Sequence, residues 1–188
     1  MGSGRRICFV DNLLRNGYTK MMEGVNWVYL EGRSILEGQG HQEGRRLLEE
    51  MYHRYVGDEM PPILIEERGK PYFTGNSWHF SISHTPRHVF CALSQSPIGI
   101  DAEEADRKIK LRLADKILSD MERQQFDAAS DPSKALLTFW VLKEAQAKCS
   151  GKGLTGYPNH TQFKLSDPRV REIDGCLVAV IEEEDHVI

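Results

Sequence analysis

Long apolar runs are missing from the start of this chain. The stretch from Ile7 to Val10 holds only four apolar residues, where a spanning helix needs about 20 and the core of a secretory leader about 7 or more. A reducing cytoplasm is the expected setting, and no membrane partner is expected. Cysteine is scarce and scattered. Cys8, Cys91, Cys149 and Cys176 form no Cys-x-x-Cys pair, so their spacing indicates neither a zinc site nor a dithiol redox motif. An excess of one charge is also lacking: 24 Lys and Arg against 28 Asp and Glu give a formal charge of −4, which argues against nucleic acid as a partner. No linker rich in Gly, Ser or Pro and no short repeat divides the chain. Its 188 residues, 40% apolar and 28% charged, suit one globular core or two small halves fused tightly together.

What is present reads as an α+β layout. Residues 6–10 and 25–30 have the composition of short strands. Leu47, Leu48, Met51, Tyr52 and Tyr55 form one apolar stripe that predicts a helix from Gln42 to Val56, with Gly57 as its stop. After Ile63-Leu-Ile and the turn Arg68-Gly-Lys-Pro71 come three β-rich runs at hairpin spacing, His79 to His84, Val89 to Ser94 and Ile98 to Glu103. Ser119-Asp-Met-Glu122 has the form of a capping box. Asp131-Pro-Ser-Lys134 begins a further helix, with a capping Asp and Pro at the first helical position, that ends at Gly151-Lys-Gly153. Gln162 to Leu165 and Cys176 to Glu183 are expected as a closing pair of strands.

The chemistry concentrates in two of these elements. On a strand over 98–103, Ile98, Ile100 and Ala102 share one face while Gly99, Asp101 and Glu103 share the other. On a helix over 134–149, Glu144 and Lys148 are four apart and lie on one face. Acids at alternate strand positions also suit a plain polar face, and a helical Glu–Lys pair is often only a surface contact. The aromatic pair Phe139-Trp140, one turn before Glu144, seats that helix on the sheet and brings the three acids toward one interface. There they repel unless a cation lies between them, and oxygen-only ligands favour a hard ion such as Mg²⁺, with Mn²⁺ as an alternative. Lys70, Ser83 and His84 are donors suited to phosphate, and Lys152 follows the same helix. Ser83-His84 is not a nucleophile and base, because strand neighbours point to opposite faces. Gly151-Lys-Gly-Leu-Thr-Gly156 lacks the spacing of a phosphate loop and follows a helix where such a loop precedes one.

Taken in order, Gly69-Lys-Pro71, Phe80-Ser-Ile-Ser-His-Thr85, Ile98-Gly-Ile-Asp-Ala-Glu103, Leu118-Ser-Asp-Met-Glu122, Trp140-Val-Leu-Lys-Glu-Ala-Gln-Ala-Lys148 and Gly151-Lys-Gly-Leu154 resemble the 4′-phosphopantetheinyl transferases of the surfactin-synthetase-activating type. The resemblance covers roughly residues 66–156. It implies an enzyme that moves the phosphopantetheine arm of coenzyme A onto a serine of an apo acyl or peptidyl carrier protein and releases adenosine 3′,5′-bisphosphate. By the same resemblance Asp101, Glu103 and Glu144 hold Mg²⁺, and Lys148 neutralises charge on the pyrophosphate. Lys70, Ser83, His84 and Lys152 then contact the coenzyme, and Glu144 is a candidate base toward the attacking serine.

The implied fold is two similar α/β halves, 1–95 and 96–188, joined as an intramolecular pseudo-dimer for which a monomer suffices. One departure stands out: His41 is followed by Gln42 where the family often has arginine, leaving Arg33, Arg45 or Arg46 as substitutes. The alternative on the same scaffold is a module that binds carrier protein or coenzyme A without turnover.

Overall fold

The computed structural model describes residues 28–57, 59–153 and 162–183. The chain runs β1 (Val28–Ser34), α1 (Gly40–Tyr55), β2 (Ile63–Ile65), β3 (Pro71–Phe73), β4 (His79–His84), β5 (His88–Ser94), β6 (Ile98–Glu104), a 3₁₀ turn (Leu111–Leu113), α2 (Ala114–Ile117), α3 (Asp120–Asp127), α4 (Pro132–Ser150), β7 (Val170–Ile173) and β8 (Cys176–Glu182). Two antiparallel three-stranded sheets, β1-β5-β4 and β6-β8-β7, form the centre, and β2 and β3 make a separate hairpin.

Alternation along the strands assigns the layers. Val28 and Leu30 of β1, Phe90 and Ala92 of β5, Ile98, Ile100 and Ala102 of β6, and Val178 and Val180 of β8 form one buried cluster contributed by both sheets. The remaining faces are covered by helices. Leu47, Leu48, Met51 and Tyr52 of α1 pack on Phe80, Val89, Cys91 and Leu93, and α4 packs its Leu142 and Ala145 with Leu177, Ala179 and Ile181 of β8. The order is therefore helix, sheet, sheet, helix. The mixed helix and strand content agrees with the expected α+β class.

α4 is apolar on more than one side because it is enclosed on more than one side: Leu136, Phe139, Val141 and Leu142 are all fully buried. Its ends follow the sequence signals. Asp131 accepts from the Lys134 N–H, Pro132 occupies the first turn, and Gly151 terminates the helix at φ 68°, a left-handed value that glycine adopts without a Cβ penalty. Gly99 sets how closely this helix approaches β6: a Cβ there would lie 2.0 Å from the Ala145 carbonyl oxygen and 2.4 Å from the Cys149 nitrogen. Those obstacles are helix backbone and cannot turn aside. Gly99→Ala is expected to destabilise the protein by about 3 kcal/mol, read as a drop in the urea midpoint. An unchanged midpoint would show that α4 can lift off the strand freely.

Two expectations need correction and one falls outside the described residues. Gln162 to Leu165 is not a strand. The Phe163 N–H donates to Glu122 Oε1 at 2.9 Å and the Leu165 N–H to Gln125 Oε1 at 3.0 Å, so side chains of α3 take the donors that a ladder would use, and β7 is the strand that pairs with β8. The strand expected at 25–30 begins its described part at Val28 and continues to Ser34. Its polar second half reads as a break, yet Glu31 is satisfied by Tyr55 Oη at 2.6 Å and by Arg54, and Gly32 leaves room for the Phe90 ring of the neighbouring strand. Residues 6–10 lie outside the described set.

Candidate active site

β6 lies at the edge of its sheet, yet its free N–H groups are not left to water. The Ile100 N–H donates to Ser81 Oγ at 3.1 Å and the Ala102 N–H to Ser83 Oγ at 3.2 Å. Two serines of β4 thereby join the sheets beside a cleft of about 670 Å³, within the size range of small-molecule sites. The cleft is lined by Asp101 and Glu103 of β6, Glu144 and Lys148 of α4, Ser83 and His84 of β4, His41 and Arg45 of α1, and Arg68 and Lys70 of the β2–β3 turn. Strand alternation and helical spacing thus bring the three expected acids to one place.

Asp101 is the most constrained of them. Its Oδ1 accepts from Lys148 Nζ at 2.7 Å and from Ser83 Oγ at 3.1 Å, while its Oδ2 is buried with no hydrogen-bond partner among the described residues. Burial pushes its pKa up, and Lys148 opposes that shift. Glu103 is raised by burial against the pull of Arg107, with which it is paired, and it accepts from Trp140 Nε1 at 3.3 Å. Glu144 is raised by burial and then by the charge of Asp101.

A carboxylate oxygen buried without a donor calls for an ion or another partner, and three acids that hinder one another's ionisation are relieved by a cation. The donor set is all oxygen and fits Mg²⁺ or another hard ion. The side chains as they stand do not converge on a point. Among the described residues, the trio whose ligand atoms all lie within 4.8 Å of one another is a different one, His88, Glu104 and Cys176, because Lys148 and Arg107 draw Asp101 and Glu103 toward themselves.

The other expected residues divide. His84 lines the cleft with its ring edge-on to His41 at 4.8 Å, and burial, then His41 and Lys148, lower its pKa. Lys70 also lines it but donates to the Cys149 carbonyl at the end of α4. Ser83 donates to Asp101 and accepts from Lys148 Nζ and the Ala102 N–H, which uses the one donor and two lone pairs of a hydroxyl. It braces Asp101 and has no free donor for phosphate in this arrangement. Lys152 is exposed and is not among the cleft-lining residues.

Of the three arginines named as substitutes, Arg33 pairs with Glu43 and Glu50, and Arg46 pairs with Glu50. Arg45 is the one that lines the cleft. Sequence reasoning passed over Arg68 and Arg107 as site residues. Arg107 follows Glu103 by four, but across a strand end, where no spacing rule signals a contact.

The shared direction of the acid shifts sets a pH dependence. Folded-state values raised above the unfolded ones mean that the folded protein holds more protons through that window, so stability falls as pH rises from the ordinary carboxylate range through the raised values. Glu104 works the other way. Against the cost of burial, hydrogen bonds from Arg87, Thr85 and His88 bring it down to about 2, and its contribution, present above the ordinary range, is lost as pH falls toward that value. Urea midpoints taken with EDTA are therefore expected to peak in weak acid and decline toward neutrality. Mg²⁺ is expected to restore the neutral side; a midpoint still rising to neutral pH in EDTA would contradict the raised acids.

Residues 97–179 match the model of the 4′-phosphopantetheinyl transferase superfamily. The chain is 33% identical over 130 residues to 4′-phosphopantetheinyl transferase psf-1 of Bacillus pumilus, covering 65% of this chain and 54% of that protein. It is 34% identical over 90 residues to 4′-phosphopantetheinyl transferase gsp of Aneurinibacillus migulanus, covering 47% and 37%. It is 36% identical over 93 residues to 4′-phosphopantetheinyl transferase Sfp of Bacillus subtilis (strain 168), covering 48% and 41%. The matched stretches thus span about half the length of these relatives or less. With its motifs in the family's order and its C-terminal sheet and helix inside the matched region, residues 97–179 are those of a 4′-phosphopantetheinyl transferase superfamily domain, and the chain is similar to transferases of the Sfp type.

Proposed function

We propose that the chain transfers the 4′-phosphopantetheine arm of coenzyme A to a serine hydroxyl of an apo carrier protein and releases adenosine 3′,5′-bisphosphate. The observation that carries the reading is the buried, partnerless Asp101 Oδ2 beside Lys148 in a cleft that also holds Glu103 and Glu144. In this reading Asp101, Glu103 and Glu144 hold Mg²⁺, which when bound supplies charge neutralisation at the pyrophosphate. The two sheets, each with one helix on its outer face, support an arrangement of two similar halves, 1–95 and 96–188, with the site between them.

The residues divide the work. His41, Arg45, Arg68, Lys70 and His84 give the cleft donors and positive charge for a polyphosphate substrate, and the lowered pKa of His84 leaves it a neutral donor at physiological pH. The serine oxygen attacks the phosphorus that carries the arm, the bond from that phosphorus to the oxygen of adenosine 3′,5′-bisphosphate breaks, and the serine proton passes to Glu144. Lys148, held by Asp101 and Ser83, meets the negative charge that collects on the leaving group.

The test is the intact mass of a panel of apo carrier proteins after incubation with this protein, coenzyme A and Mg²⁺. A gain of one arm that EDTA abolishes is expected. Coenzyme A binding without a gain on any carrier would overturn the transferase reading in favour of a binding module.

A further inference from the structure

The opposite side of β6 carries a second group of ligand-bearing side chains that the transferase reading does not use. Glu104 follows Glu103, so strand alternation turns it away from the cleft. In the β6–β8 ladder it stands directly across from Cys176, and His88 at the start of β5 closes the group from the other sheet. His88 Nδ1 lies 3.4 Å from Glu104 Oε1 and 3.4 Å from Cys176 Sγ. The three ligand atoms all fall within 4.8 Å of one another.

The two separations from His88 are those of edges of a coordination tetrahedron, and the third falls within 4.8 Å. Zinc bonds of about 2.0–2.3 Å to nitrogen, oxygen and sulfur place neighbouring ligands roughly 3.3–3.7 Å apart. As hydrogen bonds the same contacts are weak, since a thiol is a poor donor and 3.4 Å is long for an imidazole and a carboxylate. The groups behind them are strong and well placed. Thr85 Oγ1 donates to Glu104 Oε1 at 2.6 Å and accepts from the His88 N–H at 2.9 Å, and Arg87 donates to Glu104 Oε2 at 2.6 Å. Such outer contacts orient metal-binding carboxylates. The Phe90 ring stacks near His88, and Cys176 is fully buried at the rim of the cluster between the sheets.

We propose that His88, Glu104 and Cys176 form a zinc site that clamps β5 of one sheet to β6 and β8 of the other, separate from the acid-lined cleft. His88 binds through neutral Nδ1, Glu104 through Oε1, and Cys176 as thiolate, its proton passing to solvent as the metal enters. A fourth ligand would come from solvent. A nitrogen, sulfur and oxygen set selects a borderline ion, while the all-oxygen cleft selects a hard one. The two sites therefore do not compete for one metal. The scattered cysteines hide this site from a spacing search, because its ligands come from three strands and meet only through the ladder. The inference does not depend on the transferase reading.

Cobalt is the probe. Wild-type protein titrated with Co²⁺ in excess Mg²⁺ is expected to bind one equivalent with a thiolate-to-cobalt charge-transfer band and the visible bands of a tetrahedral ion, and Zn²⁺ is expected to displace it. Cys176→Ser should abolish the charge-transfer band, His88→Ala should weaken cobalt binding at least tenfold, and Asp101→Asn should leave the spectrum unchanged. Zn²⁺ should raise the melting temperature of wild type and not of Cys176→Ser. Absence of the charge-transfer band in folded wild type, or a band that survives Cys176→Ser, would overturn the proposal. If Cys176→Ser does not fold, His88→Ala decides in its place: a tenfold loss of cobalt affinity supports the site, and an unchanged affinity overturns it.

Discussion

Replacing Asp101 by asparagine is expected to slow carrier modification by about 10³-fold while leaving the protein folded and, in the absence of Mg²⁺, no less stable than wild type. Both halves of that expectation come from one oxygen. Asp101 Oδ2 is buried without a donor, and burial pushes the carboxyl pKa up, so the charged form is held at a cost. Asparagine keeps the shape and removes the charge. What it forfeits in stability is the contact with Lys148, whose side chain is 34% exposed and remains hydrated when released.

The loss in rate has two sources that act together. The variant lacks an anionic ligand for the metal, and Lys148 loses the partner that aims it along the cleft. The decisive comparison is thermal unfolding in EDTA and in Mg²⁺, made beside the mass assay. Mg²⁺ should raise the melting temperature of wild type and have little effect on Asp101→Asn. An equal rise in both would remove Asp101 from the ligand set even if activity were lost.

How much of this was legible depended on whether the signal was local. The alternation in Ile98-Gly-Ile-Asp-Ala-Glu103 gave the facing of every residue on β6, because both sides of that strand are buried and a slip of one residue would reverse them. The caps at Ser119 and Asp131 were readable because a cap is made by residues three apart; Ser119 and Glu122 do exchange both capping hydrogen bonds. Apart from the meeting of Asp101 and Glu103 with Glu144, which the aromatic pair Phe139-Trp140 signalled, features made by residues distant in sequence were not readable. Ser83 looked like a phosphate ligand on its type, yet its position opposite β6 gives it three internal partners. Gln162 to Leu165 looked like a strand because Phe163 and Leu165 alternate. The acceptors that decide its fate belong to Glu122 and Gln125, some forty residues away. The joining of the sheets through serine hydroxyls, and the meeting of His88, Glu104 and Cys176, are long-range in the same way.

Removing Lys143 is expected to cost about 3–5 kcal/mol, although it sits beside Glu144 in a helix where a lysine reads as a surface residue. Its Nζ lies 2.9 Å from Glu122 Oε2, and the two side chains are 4% and 0% exposed. Glu122 is the hub of that corner. It accepts from the Ser119 N–H at 2.8 Å and from the Phe163 N–H at 2.9 Å, tying the start of α3 and the approach to β7 to the middle of α4. Lys143→Met leaves this carboxylate buried with two neutral donors and no counter-charge, which accounts for the size of the loss. The double variant Lys143→Met, Glu122→Leu removes both charges and should recover part of it, because a buried ion pair owes much of its apparent strength to the penalty of breaking it. Recovery stays incomplete, since the Ser119 and Phe163 N–H groups are left buried without acceptors at about 1–3 kcal/mol each. Urea unfolding of the four members of this cycle measures the coupling. A Lys143→Met loss below about 1 kcal/mol, the range of exposed pairs, would mean that water reaches the pair. Lys143 faces α3 while Glu144 faces the cleft, so material that folds at low temperature should modify carrier protein at close to the wild-type rate, which separates holding the helix in place from doing chemistry on it.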